Sequence, residues 1–160
     1  MATAYIETTI PSYYVARSSP SLFHAAKQAA TREWWDGGCS GLSLYTSFET
    51  IIEAGKGDER MAGDRLRLLQ GIPILPLPDQ AVGLVSKLIN SGIVPAKAAS
   101  DAVHIAVASA NGIDYLVTWN FKHIANPFVR GRLRKAVGDA GFELPIMCSP
   151  DELLQNNEDD

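Results

Sequence analysis

Ala98-Ala99-Ser100-Asp101-Ala102-Val103-His104-Ile105-Ala106-Val107-Ala108 is small or apolar nearly throughout, apart from Asp101 and His104. Pro95 precedes it and suits a first helical turn. Asn111-Gly112 follows and stops it. Residues 96–110 therefore read as the most buried helix of the chain. Tyr115-Leu116-Val117-Thr118 then reads as a strand. The same alternation extends toward the N-terminus. Residues 2–6 read as an opening strand, ended by Thr8-Thr9-Ile10-Pro11. Residues 21–35 have helical spacing, with Leu22, Ala25, Ala26, Ala29 and Ala30 on one side and Gly37-Gly38 as the stop. Residues 42–45 form a second strand.

Thr46-Ser47-Phe48-Glu49 fits a capping box, a hydroxyl followed three residues later by Glu. Gly55 and Gly57 close that helix. Asp58 caps another, which runs to Leu69-Gln70 and stops at Gly71. Residues 72–75 read as a third strand and residues 79–90 as a further helix. Toward the C-terminus come a helical stretch over 128–138 and an edge strand over 144–147. A second box, Ser149-Pro150-Asp151-Glu152, has Pro in the favoured first position. Strands alternating with helices predict an α/β fold, with a mostly parallel central sheet and helices on both faces. The expected organisation is one domain over residues 1–154 and an acidic, frayed tail over 155–160. Such sheets bind ligands outside the carboxyl ends of their strands.

The totals suit that architecture. The chain has 160 residues, 46% hydrophobic and 20% charged, so it can bury a real core. Its formal net charge of −4 gives no overall attraction to nucleic acid, although a local basic patch remains open. Cys39 and Cys148 lack metal-ligand spacing and read as reduced thiols of a cytoplasmic protein. The chain enters a strand at once, so no targeting segment is expected. No apolar run approaches the ~20 residues that span a bilayer. A Gly-x-Gly-x-x-Gly loop, a P-loop, a Gly-x-Ser-x-Gly elbow and a zinc spacing are all missing from the sequence.

Three carboxylates sit where a buried fold should not want them. Glu7 ends the first strand, Glu53 follows Ile51-Ile52, and Asp101 lies in the apolar helix. Asn120 occupies a fourth such place, after the strand at 115–118. An ionised carboxylate among apolar groups costs on the order of several kcal/mol unless something pairs with it. No matching set of arginines lies nearby in sequence. A divalent cation, Mg²⁺ or Mn²⁺, explains the set most simply, because both take oxygen ligands.

Four stretches in order carry a resemblance. They are Tyr5-Ile6-Glu7-Thr8, Ser47-Phe48-Glu49-Thr50-Ile51-Ile52-Glu53, Ser100-Asp101-Ala102-Val103-His104-Ile105-Ala106 and Leu116-Val117-Thr118-Trp119-Asn120. Together the chain resembles the PIN-domain family, which includes VapC-type toxins of toxin–antitoxin pairs. The resemblance implies a PIN-like α/β/α sandwich and metal-dependent cleavage of RNA at an acidic pocket. It also implies an antitoxin partner and a homodimer. Glu7, Glu53 and Asp101 would be the metal ligands, with Asn120 completing the catalytic set by positioning a water or an outer-sphere ligand. Two positions depart from the family pattern, which usually has Asp where Glu7 and Asn120 stand. The formal ligand charge thus falls from −4 to −3, which weakens a second metal more than a first.

Other residues are open to two readings each. Glu49 completes the capping box with Thr46, although it also lies one turn from Glu53. His104 is three residues after Asp101; a D-x-x-H pair can bind metal, although a packed core histidine is the expected role. Lys122 and His123 follow Asn120 and could contact substrate phosphate. Arg130, Arg132, Arg134 and Lys135 form a basic run that could bind phosphate or simply face solvent. Trp34-Trp35 could supply a platform for a base. The reading is a metal-dependent endoribonuclease with RNA as substrate. The alternative is a catalytically weak module of the same fold that binds nucleic acid or protein.

Overall fold

A computed structural model describes residues 1–154, and the expected tail over 155–160 lies outside these described residues. The chain runs β1 (Ala2–Ile6), α1 (Thr9–Val15), α2 (Leu22–Glu33), β2 (Leu42–Ser47), α3 (Phe48–Ala54), α4 (Glu59–Leu69) and β3 (Ile74–Leu75). It continues through α5 (Asp79–Asn90), α6 (Ala99–Ala110), β4 (Tyr115–Val117), α7 (Pro127–Asp139), β5 (Ile146–Cys148) and α8 (Pro150–Leu154). The strands form one sheet in the order β3-β2-β1-β4-β5, and every pairing is parallel. The expected mostly parallel sheet is thus wholly parallel among the described residues, and the fold is a three-layer α/β/α sandwich.

Alternation along the central strands builds the two faces. Tyr5, Leu116 and Met147 point to one side and pack with Leu84 and Leu88 of α5, Ile105 of α6, and Leu133 and Val137 of α7. Ala4, Ile6 and Val117 point to the other and meet Ile10 of α1, Ala54 of α3, Leu69 of α4 and Trp34. Register is pinned at the strands' amino ends by Asp114. Its Oδ2 accepts from the Thr3 N–H at 2.8 Å, and its own N–H donates to Thr3 Oγ1 at 3.0 Å. Asp114 therefore introduces β4.

Several local expectations are corrected. Thr9–Val15 is a helix and not merely the end of a strand. Pro11 sits in its first turn, where a backbone N–H has no intrahelical partner to lose. Among the described residues, the apolar stripe expected on α2 reaches the core only through Ala30. Leu22 is 88% exposed, and Gln28 and Thr31 are the buried residues. This helix docks through polar bonds: Gln28 Nε2 donates to Arg17 O at 2.8 Å, and Thr31 Oγ1 accepts from Trp119 Nε1 at 2.8 Å. Such contacts have no hydrophobic period for sequence reading to detect. Trp34–Gly38 continues α2 as a π turn. Trp34 is fully buried and Trp35 half-buried beside Tyr14, so this pair offers no free base platform.

Ser47, rather than Thr46, caps α3, accepting from the Thr50 N–H. Thr46 Oγ1 donates instead to the Ile6 carbonyl at 2.8 Å, tying β2 to the end of β1. Glu49 completes no box; it accepts from Ser100 Oγ at 2.5 Å and so links α3 to α6. A 3-10 turn over Ala96–Ala98 precedes α6, which places Asp101 in the first α-helical turn. Cys39 and Cys148 are free thiols. Burial, with Glu152 and Asp151 nearby, pushes the Cys148 thiol up to about 12, so it carries no thiolate near neutrality. No helix among the described residues is long and apolar enough to cross a membrane.

Candidate active site

The strand order reverses between β1 and β4. From β1 the chain moves outward to β2 and β3, then returns to lay β4 on the other side of β1. Crossovers leave to opposite faces at such a point and open a crevice at the strands' carboxyl ends. Glu7 follows β1 there, and Thr118-Trp119-Asn120 follows β4. Helices α3 and α6 bring Glu53 and Asp101 to the same edge.

His104 is the centre of this group. It is 0% exposed, and it lies within electrostatic reach of Glu7, Glu53 and Asp101. Its Nε2–H donates to Glu53 Oε1 at 2.6 Å, and its Nδ1 lies 2.6 Å from the Tyr5 hydroxyl. That hydroxyl is also 2.5 Å from Ser47 Oγ. Burial is the largest influence on His104 and opposes its charge. The Glu53 bond and the fields of the three carboxylates together outweigh it and raise the pKa. Burial likewise works to raise the pKa of Glu53, but the bonds from His104 and from Thr8 Oγ1 (2.7 Å) win and lower it. The two shifts agree on an ion pair. With both ring nitrogens protonated, the Tyr5 O–H is free to donate to Ser47. Burial holds the Tyr5 hydroxyl well above its ordinary range, so it keeps its proton.

Glu7 is only 2% exposed, and burial raises its pKa. Its Oε1 accepts from the Thr9 N–H at 2.9 Å and from the Thr9 hydroxyl. Thr9 Oγ1 in turn accepts from the Trp119 N–H at 2.8 Å, joining the end of β1 to the segment after β4. The first turn of α1, read from sequence as a mere strand terminator, is thus the support of the first carboxylate. Burial also raises the pKa of Asp101. The Asn120 amide, His104 and His123 oppose that rise, and the charge of Glu53 adds to it.

Asn120 makes both turn and site. Its Oδ1 accepts from the backbone N–H groups of Lys122 (3.2 Å) and His123 (2.9 Å), while its side chain also meets Asp101. The carbonyl oxygen considered as a ligand is therefore engaged in the turn, and the amide N–H₂ is the part available to a carboxylate. The basic run is divided. Arg130 and Arg134, one turn apart on α7, face Leu144–Met147 and Glu152, whereas Arg132 lines a different hollow with Lys87, Lys135 and Asp139. Lys135 and Lys87 both approach Asp139, at 3.4 and 3.6 Å. Helical geometry explains the split: residues 130 and 134 share a face, and 132 points away from both. Of the candidate substrate-binding residues, His123 lies within electrostatic reach of Asp101, and Lys122 precedes it in the Asn120 turn.

Among the described residues, no three His, Cys, Asp or Glu side chains stand close enough together to form a ready-made ion cage. The proton balance of the site predicts an unusual pH profile. Glu7 and Asp101 have raised pKa values, so their penalty develops as pH rises above their unfolded values. His104, also raised, loses its contribution as pH rises through its folded pKa. Glu53, lowered, gives stability that disappears only as pH falls through its folded pKa. In chelator, the melting temperature should peak at roughly pH 5–6 and fall toward pH 8. A flat profile between those values contradicts the raised pKa values. No family model matches the chain, and no curated protein matches it either.

Proposed function

We propose that the protein is a Mg²⁺- or Mn²⁺-dependent endoribonuclease of the PIN-domain type. One observation carries the reading. Glu53 is hydrogen-bonded to a buried histidine at the sheet's switch point, and Glu7 and Asp101, from two further elements, lie within electrostatic reach of the same ring. A catalytic pocket keeps carboxyl groups buried at a cost, seen here in the raised pKa values of Glu7 and Asp101, where a structural ion pair would relieve it.

The donor set fits a hard cation, since every donor is oxygen. Glu7, Glu53 and Asp101 would hold it. Mg²⁺ is often bound by only one or two carboxylates, with waters and substrate phosphate completing its shell, so a closed protein cage is not required. When bound, the cation supplies an activated water and neutralises charge on the scissile phosphate. The remaining roles belong to the chain. His104 and Thr8 orient Glu53, and Thr9 orients Glu7. Asn120 steadies Asp101 and shapes the Lys122–His123 backbone beside it. Lys122 would supply positive charge, and His123 a ring nitrogen for contact, to an entering phosphodiester. The resemblance extends the proposal to a cytoplasmic toxin that pairs with an antitoxin and forms a homodimer.

The first test is thermal. A cation that binds only the folded protein raises its melting temperature by mass action, by about 5–10 °C at roughly 100 times its Kd. The rise should be larger at pH 8 than at pH 5.5, because protons and metal compete for Glu7 and Asp101. Mn²⁺ that leaves the melting temperature unmoved at both pH values removes the metal site.

A second reading, a binding module with the same fold, draws on the engaged oxygens. Glu53 Oε1 and Asn120 Oδ1 each already accept two bonds. Asn120→Asp separates the readings. It replaces an amide that meets Asp101 by a carboxylate that repels it, and should cost about 1–2 kcal/mol without metal. In a nuclease, the added charge should lower the Mn²⁺ concentration for half activity and raise the rate. Absence of RNA cleavage by both proteins under either metal favours the binding module.

A further inference from the structure

We propose that Phe23 and Phe121, with the Lys27 ammonium between them, form a stacking site for the bases of single-stranded RNA beside the acidic group. The inference rests on the ribonuclease reading and names where its substrate lies. Both rings are open to solvent: Phe23 is 65% exposed and Phe121 42% exposed. Lys27 Nζ lies 4.2 Å from the Phe23 ring centroid and 5.4 Å from that of Phe121. The rings of Trp119 and Tyr13 lie 5.5 and 5.7 Å from the same nitrogen and form the floor. Trp119 meets Phe121 edge to face at 5.9 Å, which fixes the orientation of the outer ring.

Three features select the occupant. Exposed ring faces suit planar partners, and every base has one, so stacking of this kind tolerates any sequence. Lys27 makes no ion pair with a carboxylate among the described residues and is met only by ring faces, so a phosphate beside the rings meets a cation that no anion neutralises. Continuity supplies the third. Trp119 and Phe121 flank Asn120, whose side chain meets Asp101, and the Trp119 N–H is bonded to Thr9, the support of Glu7. A strand stacked on these rings therefore passes the carboxylates. Duplex RNA keeps its bases stacked internally and cannot offer their faces. A protein partner would need apolar area but not aromatic faces.

The test uses anisotropy of a labelled single-stranded RNA of about 10 nucleotides, in chelator so that nothing is cut. Phe23→Leu and Phe121→Leu keep apolar area and remove the π face. Each should weaken binding about tenfold while the melting temperature holds. An abasic oligomer of the same length should bind the wild type as weakly as natural RNA binds the variants. The two rings lie on different elements, so either variant alone carries the test if the other fails to fold. Leucine variants that bind like the wild type, an abasic oligomer that binds equally well, or a wild type that binds no RNA each overturn the proposal. Failure of the two readings is distinguishable. Weaker binding in the leucine variants of a protein that never cleaves keeps this site and sinks the nuclease, and cleavage with leucine-tolerant binding does the reverse.

Discussion

Asp101→Asn is expected to abolish metal-stimulated RNA cleavage while leaving the metal-free protein as stable as the wild type, or more so. The two halves have one cause. Asp101 is part-buried, its pKa is raised by burial, and the charge of Glu53 adds to that rise. Asparagine keeps the shape and removes the charge. The folded state then no longer bears the cost of burying that charge, with a smaller gain from the lost repulsion by Glu53, and a cation loses a ligand. Removing one such electrostatic contributor lowers rates by roughly two to three orders of magnitude. Single-turnover cleavage with Mn²⁺ measures the first half, and thermal melting in chelator measures the second. The variant should also lose most of the metal-induced rise in melting temperature. A metal-free loss of several kcal/mol would instead make Asp101 a structural residue.

His104→Leu is expected to lower stability by about 3 kcal/mol, on the order of a buried charged hydrogen bond with its partner left behind. Glu53 loses its 2.6 Å donor and keeps only Thr8. Tyr5 is spared, because Ser47 and Thr50 still surround its hydroxyl. The side chain of Glu53 is 26% exposed, so water takes up part of the deficit and holds the cost near this figure. Urea denaturation at pH 6 measures it. The loss should shrink at pH 8, because the wild-type ion pair itself weakens as pH rises through the His104 folded pKa. A loss independent of pH would mean that His104 acts by packing alone. Cleavage should also fall, by loss of Glu53 orientation, and His104→Gln, which can still donate to Glu53, should recover part of it.

Much of the architecture was legible because its causes are local. Pro95, Asn111-Gly112 and the apolar run between them set one helix. The Asp58 cap and Gly71 set another, and Gly71 adopts the positive φ of 81° that such a stop needs. The expected helix over residues 79–90 matches α5 (Asp79–Asn90). Buried faces and short elements were misread where tertiary contacts replaced the hydrophobic pattern. α2 is held by Gln28, Thr31 and Arg32 bonding to backbone and to Trp119, which leaves Leu22 outside. The seven-residue α1 is short for any periodic signal, and Thr8 and Thr9 read as turn residues.

The sequence by itself determined the alternating α/β class and picked out Glu7, Glu53, Asp101 and Asn120 as polar residues in apolar settings, since burial of charge among apolar neighbours leaves a trace in one dimension. Only the tertiary structure decided what surrounds them. The switch between β1 and β4 depends on the order in which strands pair, which no single segment encodes. The role of His104 depends on Tyr5 and Glu53, 99 and 51 residues away in the chain. The division of Arg130 and Arg134 from Arg132 depends on which neighbours α7 is laid against. The Phe23, Lys27 and Phe121 cluster depends on α2 crossing the turn after β4. Each is a meeting of segments distant in sequence, fixed by packing of the whole sandwich rather than by propensity.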